Sequence, residues 1–214
     1  MNRSARGEGC GNTVPFKIKN HEHRVTSAYT QGGKGMATEK AKQARQKVVE
    51  VLNKARAMEL QAIGQYMNQH YNLDDMDYGE LAANVKLIAI DEMRHAEMFA
   101  ERIKELGGEP TADPDDKVER GQPVEKVFSF DVDLEDGAIV AYNGFLGVCR
   151  EAGDSTSAKM FEEIIDDEQV HLNYFDNVRE HVDRLGPAYL ARIAGTSSAT
   201  GLTGQGFVAR QAGA

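Results

Sequence analysis

The stretch that decides the fold is IDEMRHAEMF, residues 90–99, which returns in altered form as IDDEQVHLNYF, residues 165–175. Each stretch holds a glutamate and a histidine three residues apart, and positions i and i+3 lie on the same face of an α-helix. The two pairs are Glu92 with His95 and Glu168 with His171. Because apolar residues surround both pairs at helical spacing, the sequence predicts two helices with a carboxylate and an imidazole on an otherwise apolar face.

Helical patterns extend outward from these two stretches. Four long helices are predicted, at about residues 37–71, 76–106, 131–152 and 155–185. Residues 109–131 contain three prolines and no helical period, which indicates a long crossover between helices that run in the same direction. A short fifth helix begins at Pro187 and reaches about Ala194. The predicted fold is therefore all-α: a ferritin-like four-helix bundle with a long B–C crossover and a short fifth C-terminal helix.

The two ends of the chain have a different composition. Residues 1–35 are rich in glycine and lack a hydrophobic period, so they are predicted to be a disordered N-terminal extension. Residues 36–195 form the predicted bundle domain, and residues 196–214 a flexible C-terminal tail.

Composition excludes several classes of function. The chain has 214 residues and a formal net charge of −9, which argues against binding to nucleic acid. Its two cysteines, Cys10 and Cys149, form no C-x-x-C pair, so no thiolate metal site is indicated. No apolar run approaches the ~18 residues of a membrane span, and the N-terminus lacks the apolar core of a secretory signal. We expect a soluble protein of the reducing cytoplasm.

Each predicted helix carries one glutamate within its apolar stripe. These are Glu59, Glu92, Glu135 and Glu168, and the spacing of 33 positions between the first two recurs between the last two. Buried carboxylates cost several kcal/mol each unless they are paired, and the stripes contain no lysine or arginine. Two divalent cations would balance four carboxylates. The repeat therefore predicts a dinuclear metal site with pseudo-twofold symmetry, whose oxygen-rich ligands suit iron or manganese.

Met93 has a different orientation. It follows Glu92 at about 100° around the helix, so it points away from the bundle core when Glu92 points inward. The apolar residues predicted beside it are Ile90, Leu60, Ile63 and Met67. Two interpretations stay open on the residues alone: filler in a homodimer interface, which the spacing favours, or a thioether ligand of a haem iron between two subunits.

Over residues 37–195 the chain resembles the bacterioferritins, through the segments LNKARAMELQAIGQY, AIDEMRHAE and IIDDEQVHL. The resemblance implies a cytoplasmic iron-storage protein with ferroxidase activity, which oxidises Fe²⁺ with O₂ or H₂O₂ at a di-iron centre and deposits ferric mineral inside a shell of 24 subunits. The implied iron ligands are Glu59, Glu92, His95, Glu135, Glu168 and His171.

The resemblance also implies cofactor and partner roles. Met93 and its twin from a second subunit would ligate a shared haem, which reverses the preference drawn from spacing. Tyr66 would supply or relay an electron beside the di-iron site, and a ferredoxin-type or rubredoxin-type protein would donate electrons for iron release.

The chain departs from the family pattern at two positions. Tyr174 occupies a position where some members have tryptophan, and Leu87 replaces a histidine that accompanies Asp91 in an inner-surface iron site. We therefore expect altered electron and iron routes there. A rubrerythrin-like peroxide scavenger is the alternative function, although its usual rubredoxin module needs two C-x-x-C pairs that this chain lacks.

Overall fold

A computed structural model of the protein describes residues 31–201 and 204–212. Within these ranges the helices are α1 Gln31–Asp75, α2 Gly79–Glu105, α3 Val124–Glu151, α4 Ser155–Leu185, α5 Pro187–Ile193 and α6 Phe207–Gln211. The described part of the chain forms no β-strand beyond one isolated bridge between Tyr78 and Thr196. The all-α prediction is confirmed.

The long helices pack around two apolar clusters. α1 contributes residues 48–55 to one cluster and residues 62–73 to the other, and α4 follows the same order along its length. α2 and α3 contribute in the opposite order. α2 and α3 are therefore parallel to each other and antiparallel to α1 and α4, as the predicted crossover requires.

The crossover, residues 106–123, runs along α1. Asn53 and Gln65 each make two hydrogen bonds to its backbone, Asn53 to Glu109 and Thr111, and Gln65 to both the N–H and the carbonyl of Glu119. These contacts fix the crossover against α1. Along this path the chain passes from one end of the bundle to the other.

Some predicted helix boundaries are wrong. α3 begins at Val124, about seven residues earlier than predicted, because Pro123 at its N-cap fixes φ at −68° and Val127 and Phe128 bury an apolar face in its first turns. α1 continues to Asp75, so the connection to α2 is only residues 76–78.

The ends of the chain also differ from expectation. α1 begins at Gln31, within the predicted N-terminal extension, and the extension's residues 1–30 lie outside the described residues. In the predicted flexible tail, sequence reasoning missed α6, whose Phe207 is buried. None of the helices in the described ranges is long and apolar enough to cross a membrane.

Candidate metal centre

Six buried polar side chains meet halfway along the bundle, between the two apolar clusters. Each is 3% exposed or less: Glu59, Glu92, His95, Glu135, Glu168 and His171. They come from all four long helices, because each helix turns one glutamate of its apolar stripe inward, and α2 and α4 add a histidine one turn later. The structure thus brings together the six residues that were predicted as ligands of the dinuclear site.

The six side chains form two overlapping groups that could each hold a metal ion. One group contains Glu59, Glu92, His95 and Glu168, and the other contains Glu92, Glu135, Glu168 and His171. The potential ligand atoms of each group lie within 4.8 Å of one another. Because Glu92 and Glu168 belong to both groups, the arrangement suits two ions that share two carboxylates, with one further glutamate and one histidine each.

One buried atom indicates that the residues fit a cation. Oε1 of Glu92 lies within the protein and makes no hydrogen bond of regular geometry, although Nδ1 of His171 lies 3.1 Å away. A buried carboxylate oxygen without a well-formed hydrogen bond is costly, and a cation between the two groups would compensate for that cost.

The two imidazoles are oriented in the same way. Nδ1 of His95 lies 3.0 Å from Glu92 and 3.3 Å from Glu168, and Nδ1 of His171 lies 3.1 Å and 2.9 Å from the same two glutamates. Each Nε2 faces an aspartate of the opposite E-x-x-H helix: Asp167 at 3.3 Å from His95, and Asp91 at 3.5 Å from His171. Such carboxylates behind metal-binding histidines fix the ring orientation.

Burial and mutual repulsion shift the ionisation of the centre. Burial, together with the charges of Glu168 and Glu92, raises the pKa of Glu59 and Glu135 well above the usual glutamate value. Burial opposes protonation of the histidines, yet the neighbouring carboxylates raise the pKa of His95 and His171 well above the usual histidine value. A divalent cation that binds there must therefore displace protons that these groups hold more tightly than usual.

Two tyrosines support the outer glutamates. The Tyr66 hydroxyl donates to Glu135 at 2.5 Å, and the Tyr142 hydroxyl donates to Glu59 at 2.6 Å. Sequence reasoning singled out Tyr66 but assigned no role to Tyr142. The sequence does contain a signal for Tyr142: it follows Glu135 by seven residues, as Tyr66 follows Glu59.

A cavity of about 200 Å³ leads from the centre to the protein surface between α1 and α3. It is lined by the four glutamates and two tyrosines of the centre and, among others, by Asp115 and Asp133, which are exposed. The exposed end of the cavity thus carries two negative charges close to the centre.

The remaining predicted residues lie outside the centre. Met93 is 47% exposed and points away from the core, as its position after Glu92 predicts. Leu87 is buried, and Asp91 is buried with hydrogen bonds from Arg94 and Val208. Tyr174 packs against Phe175, which in turn packs against Tyr66.

The fold and the centre together define a class: four-helix bundles whose core holds a ferritin-like carboxylate and histidine site for two metals. The model of the ferritin-like domain family matches residues 49–185. The bacterioferritin of Desulfovibrio desulfuricans is 65% identical over 162 residues, which cover 76% of this chain and 90% of that protein. Bacterioferritin BfrA of Mycobacterium tuberculosis is 34% identical over 139 residues, which cover 65% of this chain and 87% of that protein. The chain belongs to the bacterioferritin family.

Solved structures agree with this assignment. The D. desulfuricans bacterioferritin, whose X-ray structure concerns the di-iron site in different catalytic states, matches with a TM-score of 0.76 and 62% identity, covering 78% of this chain and 98% of that one. The Rhodobacter capsulatus bacterioferritin matches with a TM-score of 0.68 and 31% identity, covering 72% and 96%. That protein has a metal-free dinuclear site and a haem iron in a crystallographic special position.

Proposed function

We infer that this protein stores iron, and that it oxidises Fe²⁺ at the buried centre before depositing it as ferric mineral. The observation that carries the inference is the pair of overlapping groups that share Glu92 and Glu168. We propose Glu59, Glu92, His95, Glu135, Glu168 and His171 as the iron ligands. Two neighbouring Fe²⁺ ions supply two electrons, enough to reduce O₂ to H₂O₂ or H₂O₂ to water with the uptake of two protons.

Charge balance, ligand type and hydrogen bonds make the centre suitable for this reaction. The four carboxylates balance the charge of two Fe²⁺ ions and still provide oxygen ligands to Fe³⁺. The histidines add ligands without adding negative charge, and the aspartates behind them hold the rings in place. Tyr66 and Tyr142 each donate a hydrogen bond to an outer glutamate, which fixes the carboxylate that must accept the cation. Tyr66 is also our candidate for the residue that supplies or relays an electron.

Stopped-flow absorbance of Fe²⁺ oxidation tests this function. We expect Glu92→Ala and Glu168→Ala each to abolish rapid oxidation, because each removes a ligand from both groups. Glu101→Ala is the control, since Glu101 is an exposed glutamate of the same helix as Glu92. Unchanged rates in both ligand variants would refute the proposed site.

We also propose that Met93 binds haem at a twofold subunit interface. Its side chain is 47% exposed, and the apolar side chain of Ile90, three residues earlier on the same helix, is only partly buried. In the R. capsulatus relative the haem iron is in a crystallographic special position, a point on a symmetry element that symmetry-related copies share equally. One methionine from each of two copies would then supply both axial ligands.

The absorption spectrum of the purified protein tests this role. Wild type should show a haem with two thioether ligands, and Met93→Leu should lose it while retaining rapid Fe²⁺ oxidation. Met98→Leu is the matched control, because Met98 lies on the same helix but packs against the apolar cluster instead. A haem spectrum that survives Met93→Leu would contradict the assignment.

We further propose a cytoplasmic homo-oligomer of 24 subunits, with a ferredoxin-type or rubredoxin-type protein as electron donor for iron release. Mass measurement by light scattering after size exclusion tests the assembly. A stable dimer in place of a particle near 24 subunits would overturn it.

A further inference from the structure

The C-terminal segment, residues 204–212, lies directly against Asp91, the aspartate that faces His171. Gly206 approaches Asp91 so closely that a Cβ added to the glycine would lie 1.8 Å from Oδ1 of the aspartate. Two residues later, the Val208 backbone N–H donates to Oδ2 of Asp91 at 3.0 Å. A side chain at position 206 would therefore be incompatible with the present position of either the segment or the Asp91 carboxylate.

Asp91 is held on its other sides as well. Its Oδ1 accepts a hydrogen bond from Arg94 at 2.9 Å, and Arg94 also donates to the carbonyl of Gly204 in the C-terminal segment. Its Oδ2 faces Nε2 of His171 at 3.5 Å. Asp91 thus connects the segment on one side with the histidine of the centre on the other.

Phe207 anchors the segment in the bundle. Its side chain is 3% exposed, and its ring centroid lies 4.8 Å from that of Tyr174 and 6.4 Å from that of His171. The ring therefore fills space beside the imidazole, while the neighbouring backbone binds the aspartate behind it.

Within the described ranges, the corresponding aspartate of the other half of the centre is far less covered. Asp167, which faces His95 as Asp91 faces His171, has a side chain that is 40% exposed, against 6% for Asp91. Among the described residues, the C-terminal helix packs against α2 and α4 at the Asp91 side. The segment breaks the pseudo-twofold symmetry of an otherwise repeated site.

We propose that residues 206–208 are positioning residues of the dinuclear centre: they fix Asp91, which orients the His171 imidazole toward the metal position formed with Glu135. This proposal rests on the proposed function. It makes the two metal positions unequal: among the residues that the structure describes, the His171 position alone depends on a segment more than a hundred residues away from Glu92 in sequence.

Two background variants, each of which lacks the outer ligand of one metal position, make the test specific. Glu59→Ala removes the outer ligand of the His95 position and leaves the His171 position, whereas Glu135→Ala does the reverse. The probe is Co²⁺ titrated into the full-length, metal-free protein and followed by its visible absorption. Gly206→Ala should weaken Co²⁺ binding about tenfold or more in the Glu59→Ala background, the loss typical of residues that support a metal ligand. In the Glu135→Ala background it should change binding by less than about twofold.

Gly204→Ala is the matched control, because a Cβ at Gly204 meets nothing within 4 Å. Asp91→Asn is the second variant, and adding Gly206→Ala to it should cause little further loss if the segment acts through Asp91. Equal effects in both backgrounds, or none in either, would overturn the proposal. If the protein without substitutions binds no pair of Co²⁺ ions, the proposed function itself fails.

Discussion

At the scale of single residues, the sequence predicted the proposed ligands of the centre but not all of the groups that support them. The six proposed ligands could be predicted because each lies within an apolar stripe of its own helix, and because the E-x-x-H spacing repeats. Tyr142 was missed because a tyrosine in an apolar stripe is compatible with ordinary core packing. The support of His171 by Asp91 and Val208 could not be predicted, since the partners lie on separate elements that only the folded chain brings together.

Tyr142 should matter for one metal position only. Tyr142→Phe removes the donor to Glu59 and leaves a buried carboxylate oxygen with one partner fewer. We expect Co²⁺ binding at the His95 position to weaken by about tenfold. Tyr66→Phe, which removes the donor to Glu135, should instead weaken the His171 position. Titrations in the Glu135→Ala and Glu59→Ala backgrounds separate the two effects, and an identical loss in both backgrounds would contradict the reciprocal arrangement.

Metal binding should release protons from the centre. Because the pKa values of Glu59, Glu135 and both histidines are raised, these groups hold their protons to a higher pH in the metal-free protein than free side chains do. A cation must displace them, so its apparent affinity should fall as the pH is lowered. Calorimetric titration of Co²⁺ in two buffers with different ionisation enthalpies measures the number released. A binding heat that is independent of the buffer would contradict this prediction.

Among the elements, α4 and the short α5 were predicted closely, whereas the start of α3 and the whole of α6 were not. α4 has the predicted bounds, because Asp154 caps its start and Gly186 with Pro187 end it. α3 extends about seven residues further toward its N-terminus than predicted, since the prolines before it obscured the apolar spacing of its first turns. α6 has only five residues, and its burial depends on the surfaces of α2 and α4 rather than on its own sequence.

Asp154 should stabilise the bundle by joining two helices. Its carboxylate caps α4 through the Ser157 N–H at 3.0 Å and accepts two hydrogen bonds from one guanidinium nitrogen of Arg102 in α2. We expect Asp154→Ala to lower the free energy of unfolding by about 1–2 kcal/mol, the cost of losing such a cap. Thermal unfolding of the metal-free protein measures the loss. Asp183→Ala is the control, because Asp183 is an exposed aspartate of the same helix.

The contribution of Asp154 should also depend on pH. Burial opposes its ionisation, but the hydrogen bonds from Ser157 and Arg102 lower its pKa below the usual aspartate value. A lowered pKa in the folded state means that the stabilisation is present above the unfolded pKa of about 4 and disappears as the pH falls below it. The difference in melting temperature between wild type and Asp154→Ala should therefore shrink in acid. A constant difference down to low pH would show that the carboxylate charge is not responsible.

At the scale of the whole molecule, the distribution of charge favours the entry of cations. The chain carries a formal net charge of −9, but residues 1–35 carry a net +4, so the remaining residues carry −13. Two of these acidic residues, Asp115 and Asp133, line the exposed end of the cavity that leads to the centre. Negative charge at the mouth of a cavity raises the local concentration of a cationic substrate and its rate of association.

Neutralising the cavity mouth should therefore slow Fe²⁺ arrival without changing the centre. We expect the double variant Asp115→Asn/Asp133→Asn to slow Fe²⁺ oxidation by about two- to fivefold at low ionic strength and subsaturating Fe²⁺, and the deficit to shrink as salt is added. The double variant Asp74→Asn/Asp75→Asn is the matched control, because it removes the same charge at exposed positions at the end of α1, away from the cavity lining. Stopped-flow rates across a salt series decide the matter. An equal slowing in both double variants would assign the effect to overall charge, and a deficit that persists at high salt would assign it to altered cavity structure.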